Sequence, residues 1–140
     1  MKNLTTAIFE KMTPATTLYS DIGGRLYKKK APQGAEFPYV TFFVVTDVPE
    51  YPSNKTIEWV LVQFSIFSSA SGTTEAEDIL THLRSLYDDC TLSITNNTLI
   101  YFIRGNFIDL SDDSEGIETI SGTTGVWHYM QEYNISMVGS

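Results

Sequence analysis

The middle of the chain carries a long strand signal followed by a strongly amphipathic helix signal, and this pair most limits the possible folds. Residues 57–67 (IEWVLVQFSIF) are rich in β-branched and aromatic side chains, which favour strands. Residues 74–87 place apolar side chains at helical spacing, and Thr74 followed by Glu77 fits a capping box. The stripe expected to be buried comprises Ala76, Ile79, Leu80, Leu83, Leu86 and Tyr87. Both signals favour a sheet packed against this helix.

Strand signals outnumber helix signals in the rest of the chain. Apolar spacing predicts an N-terminal helix that ends before Pro14, because the residue preceding a proline avoids helical backbone angles, and a short helical turn follows. Residues 47–55 contain two prolines and predict a loop, and Gly105 indicates a bulge. Further strands are predicted at residues 25–27, 39–46, 91–94, 98–102, 107–110 and 126–137. Together these elements predict an α+β fold: a largely antiparallel sheet with an N-terminal helix and one long central helix packed on one face.

The length and charge of the chain limit its organisation and its partners. Its 140 residues fit one domain, predicted to span residues 1–140, and its formal net charge of -8 argues against a protein that coats nucleic acid. Residues 111–125 are polar and glycine-bearing and predict a flexible acidic loop. The acidic residues in and beside this loop are Asp109, Asp112, Asp113, Glu115 and Glu118. Their spacing does not fit an EF-hand calcium loop.

Residues that could carry catalysis are few in this sequence. His82 and His128 have no evident nucleophile or orienting carboxylate beside them, and the motifs HExxH, GxSxG and CxxC do not occur. The single cysteine, Cys90, follows two aspartates that disfavour a reactive thiolate. We therefore expect no enzymatic activity, no metal and no cofactor. A small enzyme with an unrecognised site is the alternative from another functional class.

Two sequence motifs near the N-terminus carry a resemblance to a known family. Residues 23–27 read GGRLY, and residues 32–40 read PQGAEFPYV. Downstream, residues 60–88 read as a long strand, a Ser/Gly loop and a helix, and residues 125–137 read as a closing strand. In this order the chain resembles the tail-completion (tail-terminator) family of long-tailed bacteriophages.

The resemblance implies a structural virion protein without enzymatic activity. Members of the family assemble as a ring, commonly a hexamer, at the head-proximal end of the tail tube. The ring stops tube growth and offers a docking face to the head. The expected partners are further copies of the chain, the tail-tube protein and a head–tail connector protein, with DNA passing through and no membrane involved. The expected location is the virion tail, and the host cytoplasm during assembly. A head-side connector ring is the alternative within the same class.

Three consecutive lysines stand out in this acidic chain. Lys28, Lys29 and Lys30 supply a third of its nine basic residues and precede the second motif. A ring that DNA crosses is expected to keep basic side chains off its channel, because lysines attract phosphates. We therefore predict that these lysines, with Phe37 and Tyr39, contact a neighbouring subunit or the tail-tube protein. The hypothesis places some of the acidic residues named above toward the channel. Lysines that only solubilise an exposed loop are the alternative.

Overall fold

The computed structural model describes residues 2–52, 54–70, 72–110 and 126–139. The predicted acidic loop, residues 111–125, lies outside these ranges. The helices are α1 (Lys2–Lys11), α2 (Thr17–Ile22) and α3 (Thr74–Tyr87). The strands are β1 (Leu26–Lys28), β2 (Tyr39–Glu50), β3 (Ile57–Ser68), β4 (Asn97–Asp109) and β5 (Trp127–Gly139).

The five strands form one mixed sheet in the order β1-β2-β3-β5-β4. The α+β class is confirmed, but the prediction of a largely antiparallel sheet is wrong, because β1 runs parallel to β2. The other neighbouring pairs are antiparallel. The connection between β1 and β2 spans residues 29–38 and returns the chain to the end of the sheet where β1 began. A hairpin joins antiparallel strands, whereas this longer crossover permits a parallel pair.

The N-terminal region contains two helices where the predicted architecture has one, so the described part of the chain has three helices. The break falls at Thr13 and Pro14, where the proline ring and its missing N–H oppose continuation of the helix. The side chain of Thr16 caps α2 by accepting a hydrogen bond from the Tyr19 backbone N–H at 3.3 Å. Gly23 ends α2 in the left-handed conformation (φ 58°), which glycine adopts without steric cost. The first glycine of GGRLY therefore serves as a helix cap.

The central helix α3 buries the predicted stripe but starts differently from the prediction. Ala76, Ile79, Leu80, Leu83 and Tyr87 are buried, and Leu86 is partly buried. The N-cap is Thr73, and its side chain makes no capping hydrogen bond, so the predicted capping box at Thr74 and Glu77 is wrong. The first turn is instead tied to the sheet, since the Ser68 hydroxyl donates to the Glu75 carboxylate at 2.6 Å.

Three strand boundaries differ from the prediction. The predicted loop at residues 47–55 begins too early, because β2 continues to Glu50 and residues 46–50 all pair with β3. Pro49 is tolerated there because β1 pairs only with residues 40–42, which leaves the rest of this side of β2 as a sheet edge. Residues 91–94 form only an isolated bridge, and β4 is one strand. The predicted bulge near Gly105 is confirmed by a register shift between Arg104 and Phe107.

The helices form one layer over one face of the sheet. The rings of Phe64, Phe102 and Tyr133 on that face contact the ring of Tyr87 from α3, with centroids 4.8, 5.8 and 6.5 Å away. The Tyr87 hydroxyl donates to the backbone carbonyl of Ile8 in α1 at 2.7 Å. These buried aromatic side chains join the outer strand β4, the central strands and two helices into one core.

A buried glutamine side chain hydrogen-bonds the bulge of β4 to the helix layer. Gln131 of β5 is fully buried, and its Nε2 donates to the carbonyls of Gly105 and Asn106 at 3.2 and 3.1 Å. Its Oε1 accepts from the Nε and Nη2 of Arg84 in α3 at 3.0 and 2.8 Å. The same guanidinium lies over the Phe107 ring, 5.3 Å from its centroid. Gln131 therefore fixes an irregular strand where apolar side chains could not satisfy the inward carbonyls.

Candidate docking surface

The lysine loop is held in a defined backbone conformation on the sheet. Lys28 ends β1, and the N–H of Lys29 donates to the Phe42 carbonyl at 2.8 Å. The N–H of Lys30 donates to the Lys28 carbonyl at 2.8 Å, and all three lysine side chains are exposed. Lys29 has a φ of 70°, a region that costs a residue with a Cβ about 1 kcal/mol relative to glycine. Lysine therefore occupies a position where glycine would be less strained.

The two sequence motifs are joined by Arg25. Its Nε donates to the Pro38 carbonyl at 3.0 Å and its Nη2 to the Phe37 carbonyl at 3.5 Å. The loop between them turns at Gly34, which has a φ of 82°, and the Ala35 N–H donates back to the Pro32 carbonyl at 3.1 Å. The arginine of GGRLY thus positions the FP segment of PQGAEFPYV, so the two motifs form one structural unit in this chain.

A row of aromatic rings crosses the sheet next to this loop. Tyr39 is at its centre, with the rings of Tyr27, Phe37 and Phe67 at centroid distances of 5.9, 5.3 and 5.0 Å. Phe67 in turn stacks on the ring of His128 at 4.3 Å. The row extends over β1, β2, β3 and β5 because cross-strand partners in register share one face of the sheet.

The loop and the aromatic row border an open pocket of about 470 Å³. Lys29 and Lys30 lie on its wall, and the rings of Phe37, Tyr39 and Phe67 line it. We call this site the lysine pocket. Its volume falls within the ~300–1,000 Å³ typical of pockets that bind small ligands or side chains. The structure therefore places four of the five predicted contact residues together, while Lys28 lies outside the lining.

The aromatic groups around the pocket favour their neutral forms. Burial, with a smaller contribution from Tyr27, raises the pKa of the Tyr39 hydroxyl. Burial also lowers the pKa of His128, although the nearby Asp109 opposes this effect. The cationic character of the lysine pocket near neutral pH therefore comes from its lysines. The surface suits an acidic group that carries an apolar or aromatic anchor.

Phe67 is the pocket residue that the sequence analysis missed. It is the penultimate residue of β3, and its register partner is Tyr39 at the start of β2. The aromatic ends of two successive strand signals were visible in the sequence. Only the register, which the hairpin between residues 50 and 57 sets, brings them face to face.

The predicted channel-facing residues are described only in part. Asp109 is exposed at the end of β4 and pairs in register with Tyr129. Asp112, Asp113, Glu115 and Glu118 lie outside the described residues. Their orientation toward a channel stays a prediction.

The histidine and cysteine residues considered for catalysis take part in contacts that belong to the fold. The His82 imidazole hydrogen-bonds with the Asp21 carboxylate, a contact that joins α3 to α2 and supplies a neighbouring carboxylate that was not evident from the sequence. Burial is the main reason that the pKa of Cys90 is raised to about 11. The adjacent Asp88 and Asp89, which the sequence analysis named as the cause, raise it by smaller amounts. Within residues 2–52, 54–70, 72–110 and 126–139, no cluster of three His, Cys, Asp or Glu side chains could hold a metal ion. Over the same ranges, no helix combines the length and apolar character that crossing a bilayer requires.

Comparison with known proteins identifies the family. The sequence pattern described as tail completion protein gp17 matches residues 6–124. The chain belongs to this family. Its members are structural proteins of phage tails, and the resemblance drawn from the two motifs is confirmed. A search of curated proteins gave no match.

Solved structures share the fold of this chain at low sequence identity. One comes from the virion of a native gene transfer agent particle, with a TM-score of 0.76 and 12% identity over 97% of this chain and 95% of that one. A second has a TM-score of 0.57 and 9% identity over 96% of this chain and 94% of that one. The similarity to both extends over the whole domain.

Proposed function

We propose that the protein forms a ring, commonly a hexamer in such assemblies, at the head-proximal end of a phage tail tube. The ring terminates tube growth and provides the face that docks to a head-side connector. The family match over residues 6–124 is the observation that carries this proposal. The proposed role is structural and involves no catalysis.

The charges of the chain suit a ring that DNA crosses. Each copy carries a formal net charge of -8, which repels the phosphate backbone. In this proposal the lysine pocket faces another protein, where its cations are neutralised. Asp109 and its acidic neighbours in residues 111–125 face the channel. The partner of the lysines in this proposal is a neighbouring subunit or the tail-tube protein.

Deletion of the gene in the producing phage tests the proposed function. Negative-stain images of the lysate should show tails of uncontrolled length, or finished tails that fail to join heads. Tails of normal length attached to heads would refute the proposal. Labelling that locates the protein on isolated heads, and not on isolated tails, would favour the head-side connector instead.

Complementation of the deletion tests the lysine contact separately. The triple variant Lys28→Glu, Lys29→Glu, Lys30→Glu should restore fewer complete particles than the parent gene. With purified components, assembly of the triple variant onto tail tubes should be weakened more at low salt than at high salt, because the screening length shortens to ~3 Å at 1 M salt. Lys2→Glu, an exposed charge reversal in α1, is the single-site control for Lys29→Glu. Equal particle yields for Lys29→Glu and Lys2→Glu would remove the lysine contact from the proposal.

A further inference from the structure

Strand β2 carries a different kind of surface at each of its ends. Its first residue, Tyr39, lines the lysine pocket, and its last residue, Glu50, lies at the start of the hairpin connection to β3. The strand spans Tyr39–Glu50, so at ~3.3 Å per residue the two ends lie roughly 40 Å apart. A single copy therefore presents both surfaces at once, in opposite directions along the strand.

The far end of β2 presents acidic and apolar side chains together. We call Asp47, Val48, Glu50 and Tyr51 the hairpin tip. All four are exposed, and the exposed fractions of Val48 and Tyr51 are 55% and 73%. An aromatic side chain this exposed, beside an aliphatic one, is typical of a residue that contacts a partner.

Acidic side chains outnumber basic ones among the described residues at and beside the hairpin tip. Glu58 of β3 is the cross-strand partner of Pro49, and its carboxyl hydrogen-bonds with that of Asp47. Lys55 is the basic residue in the described part of the connection. Even with one proton shared between Glu58 and Asp47, the carboxyl groups outnumber the ammonium group of Lys55 and leave an acidic surface around the exposed Tyr51 ring.

We propose that the hairpin tip of one copy docks in the lysine pocket of the next copy. The Tyr51 ring contacts the aromatic row, while Glu50 and Asp47 face Lys29 and Lys30. This contact rests on the proposed ring and identifies a second copy as the partner of the lysines. The two surfaces differ and lie at opposite ends of one strand, so the contact is head-to-tail and can repeat until a ring closes.

The pocket and the tip match in chemistry as well as in charge. A pocket of about 470 Å³ with three aromatic rings on its lining accepts an aromatic side chain. Lys29 and Lys30 on the wall of the pocket match the carboxylates of Glu50, which directly precedes Tyr51, and of Asp47, four residues before it. Complementary charge of this kind fixes the orientation of a contact and speeds association more than it adds affinity.

Charge reversal with mixing tests this contact on the purified full-length chain. The pocket variant carries Lys29→Glu and Lys30→Glu, and the tip variant carries Asp47→Lys and Glu50→Lys. Each variant alone should lose the oligomer that the parent forms in sedimentation velocity at low salt. An equimolar mixture should recover it, because the acidic pocket accepts the basic tip and the basic pocket accepts the acidic tip. Recovery also predicts rings with alternating copies. A mixture that stays as dissociated as its components would overturn the proposal.

Tyrosine substitutions test the aromatic anchor. Tyr51→Ala should weaken association by roughly tenfold or more, as expected for an aromatic side chain at the centre of a contact. Tyr51→Phe keeps the ring and should associate like the parent. Equal association constants for Tyr51→Ala and the parent would contradict the docking of this ring.

Crosslinking in assembled particles provides a readout that does not depend on free oligomers. In a Cys90→Ser background, particles receive Ala31→Cys on the pocket wall and Pro52→Cys beside the hairpin tip in one chain, which leaves the contact residues intact, and are treated with a short bifunctional maleimide. A ladder of covalently linked copies is expected. Each single-cysteine chain should give no species larger than a dimer. Absence of the ladder from intact particles would overturn the contact, even if the deletion phenotype still supported the tail role. A ladder together with normal tails in the deletion strain would leave the contact standing and refute the proposed function.

Discussion

Replacing Gln131 with leucine should destabilise the domain by about 2–3 kcal/mol. The change removes the amide donor of the Gly105 and Asn106 carbonyls and the acceptor of the Arg84 guanidinium. The two neutral hydrogen bonds contribute ~1 kcal/mol each. The two guanidinium nitrogens share the single acceptor Oε1 and are counted as one bond to a charged group of ~2 kcal/mol, for a loss of about 4 kcal/mol. Burial of the leucine side chain offsets ~1–2 kcal/mol of this.

Urea unfolding followed by tryptophan fluorescence measures the change in the free energy of unfolding. Gln63→Leu is the matched control, since the partly buried Gln63 amide donates to the Ser65 hydroxyl at 3.1 Å. It should lose less than ~1 kcal/mol, because one neutral hydrogen bond is affected. Amide exchange of β4 in Gln131→Leu should accelerate more than exchange of β2. A Gln131→Leu protein within ~0.5 kcal/mol of the parent would refute the assignment of Gln131 as the residue that holds the bulge.

Three further variants probe the pocket, the tip and the shared motif. Lys29→Gly should raise the free energy of unfolding by about 0.5–1 kcal/mol, because glycine relieves the strain of the positive φ. The same variant should weaken association. A lower melting temperature than that of the parent would contradict the predicted gain in stability. Burial, followed by its hydrogen bond with Asp47, raises the pKa of Glu58, so the folded state holds a proton that the unfolded state loses as pH rises. Glu58→Gln should therefore be the more stable protein at pH 7, with a difference that vanishes below about pH 4; a pH-independent difference in urea titrations would argue against it. Arg25→Ala removes the donors to the Phe37 and Pro38 carbonyls, and proteolysis within residues 29–38 should become faster than in the parent.

The sequence predicted the elements whose pattern is periodic and continuous. The buried stripe of α3 and the long strand β3 follow directly from the spacing of their apolar residues. The outer half of β2 was assigned to a loop because Pro49 weakens a strand signal, although proline is compatible with a sheet edge. Whether a strand segment is an edge depends on its neighbours, and that information is not local.

The candidate site was predictable in composition but not in geometry. Lys29, Lys30, Phe37 and Tyr39 were identified from an unusual charge run and a family motif. The contribution of Phe67 required the register between β2 and β3, and the parallel course of β1 required the path of residues 29–38. The hairpin tip was missed because two prolines beside acidic residues are typical of an exposed loop of any function.

The register shift at Val45 divides β2 into a half that carries the lysine pocket and a half that carries the hairpin tip. A bulge bends a strand and increases its twist. In a closed ring of six copies, each copy is rotated by about 60° relative to the last. If the proposed contact joins the two ends of this strand in neighbouring copies, the bend at Val45 contributes to this rotation. The number of copies in the proposed ring would then depend on strand curvature, and inserting or deleting one residue at this position should change ring size without changing the contact chemistry.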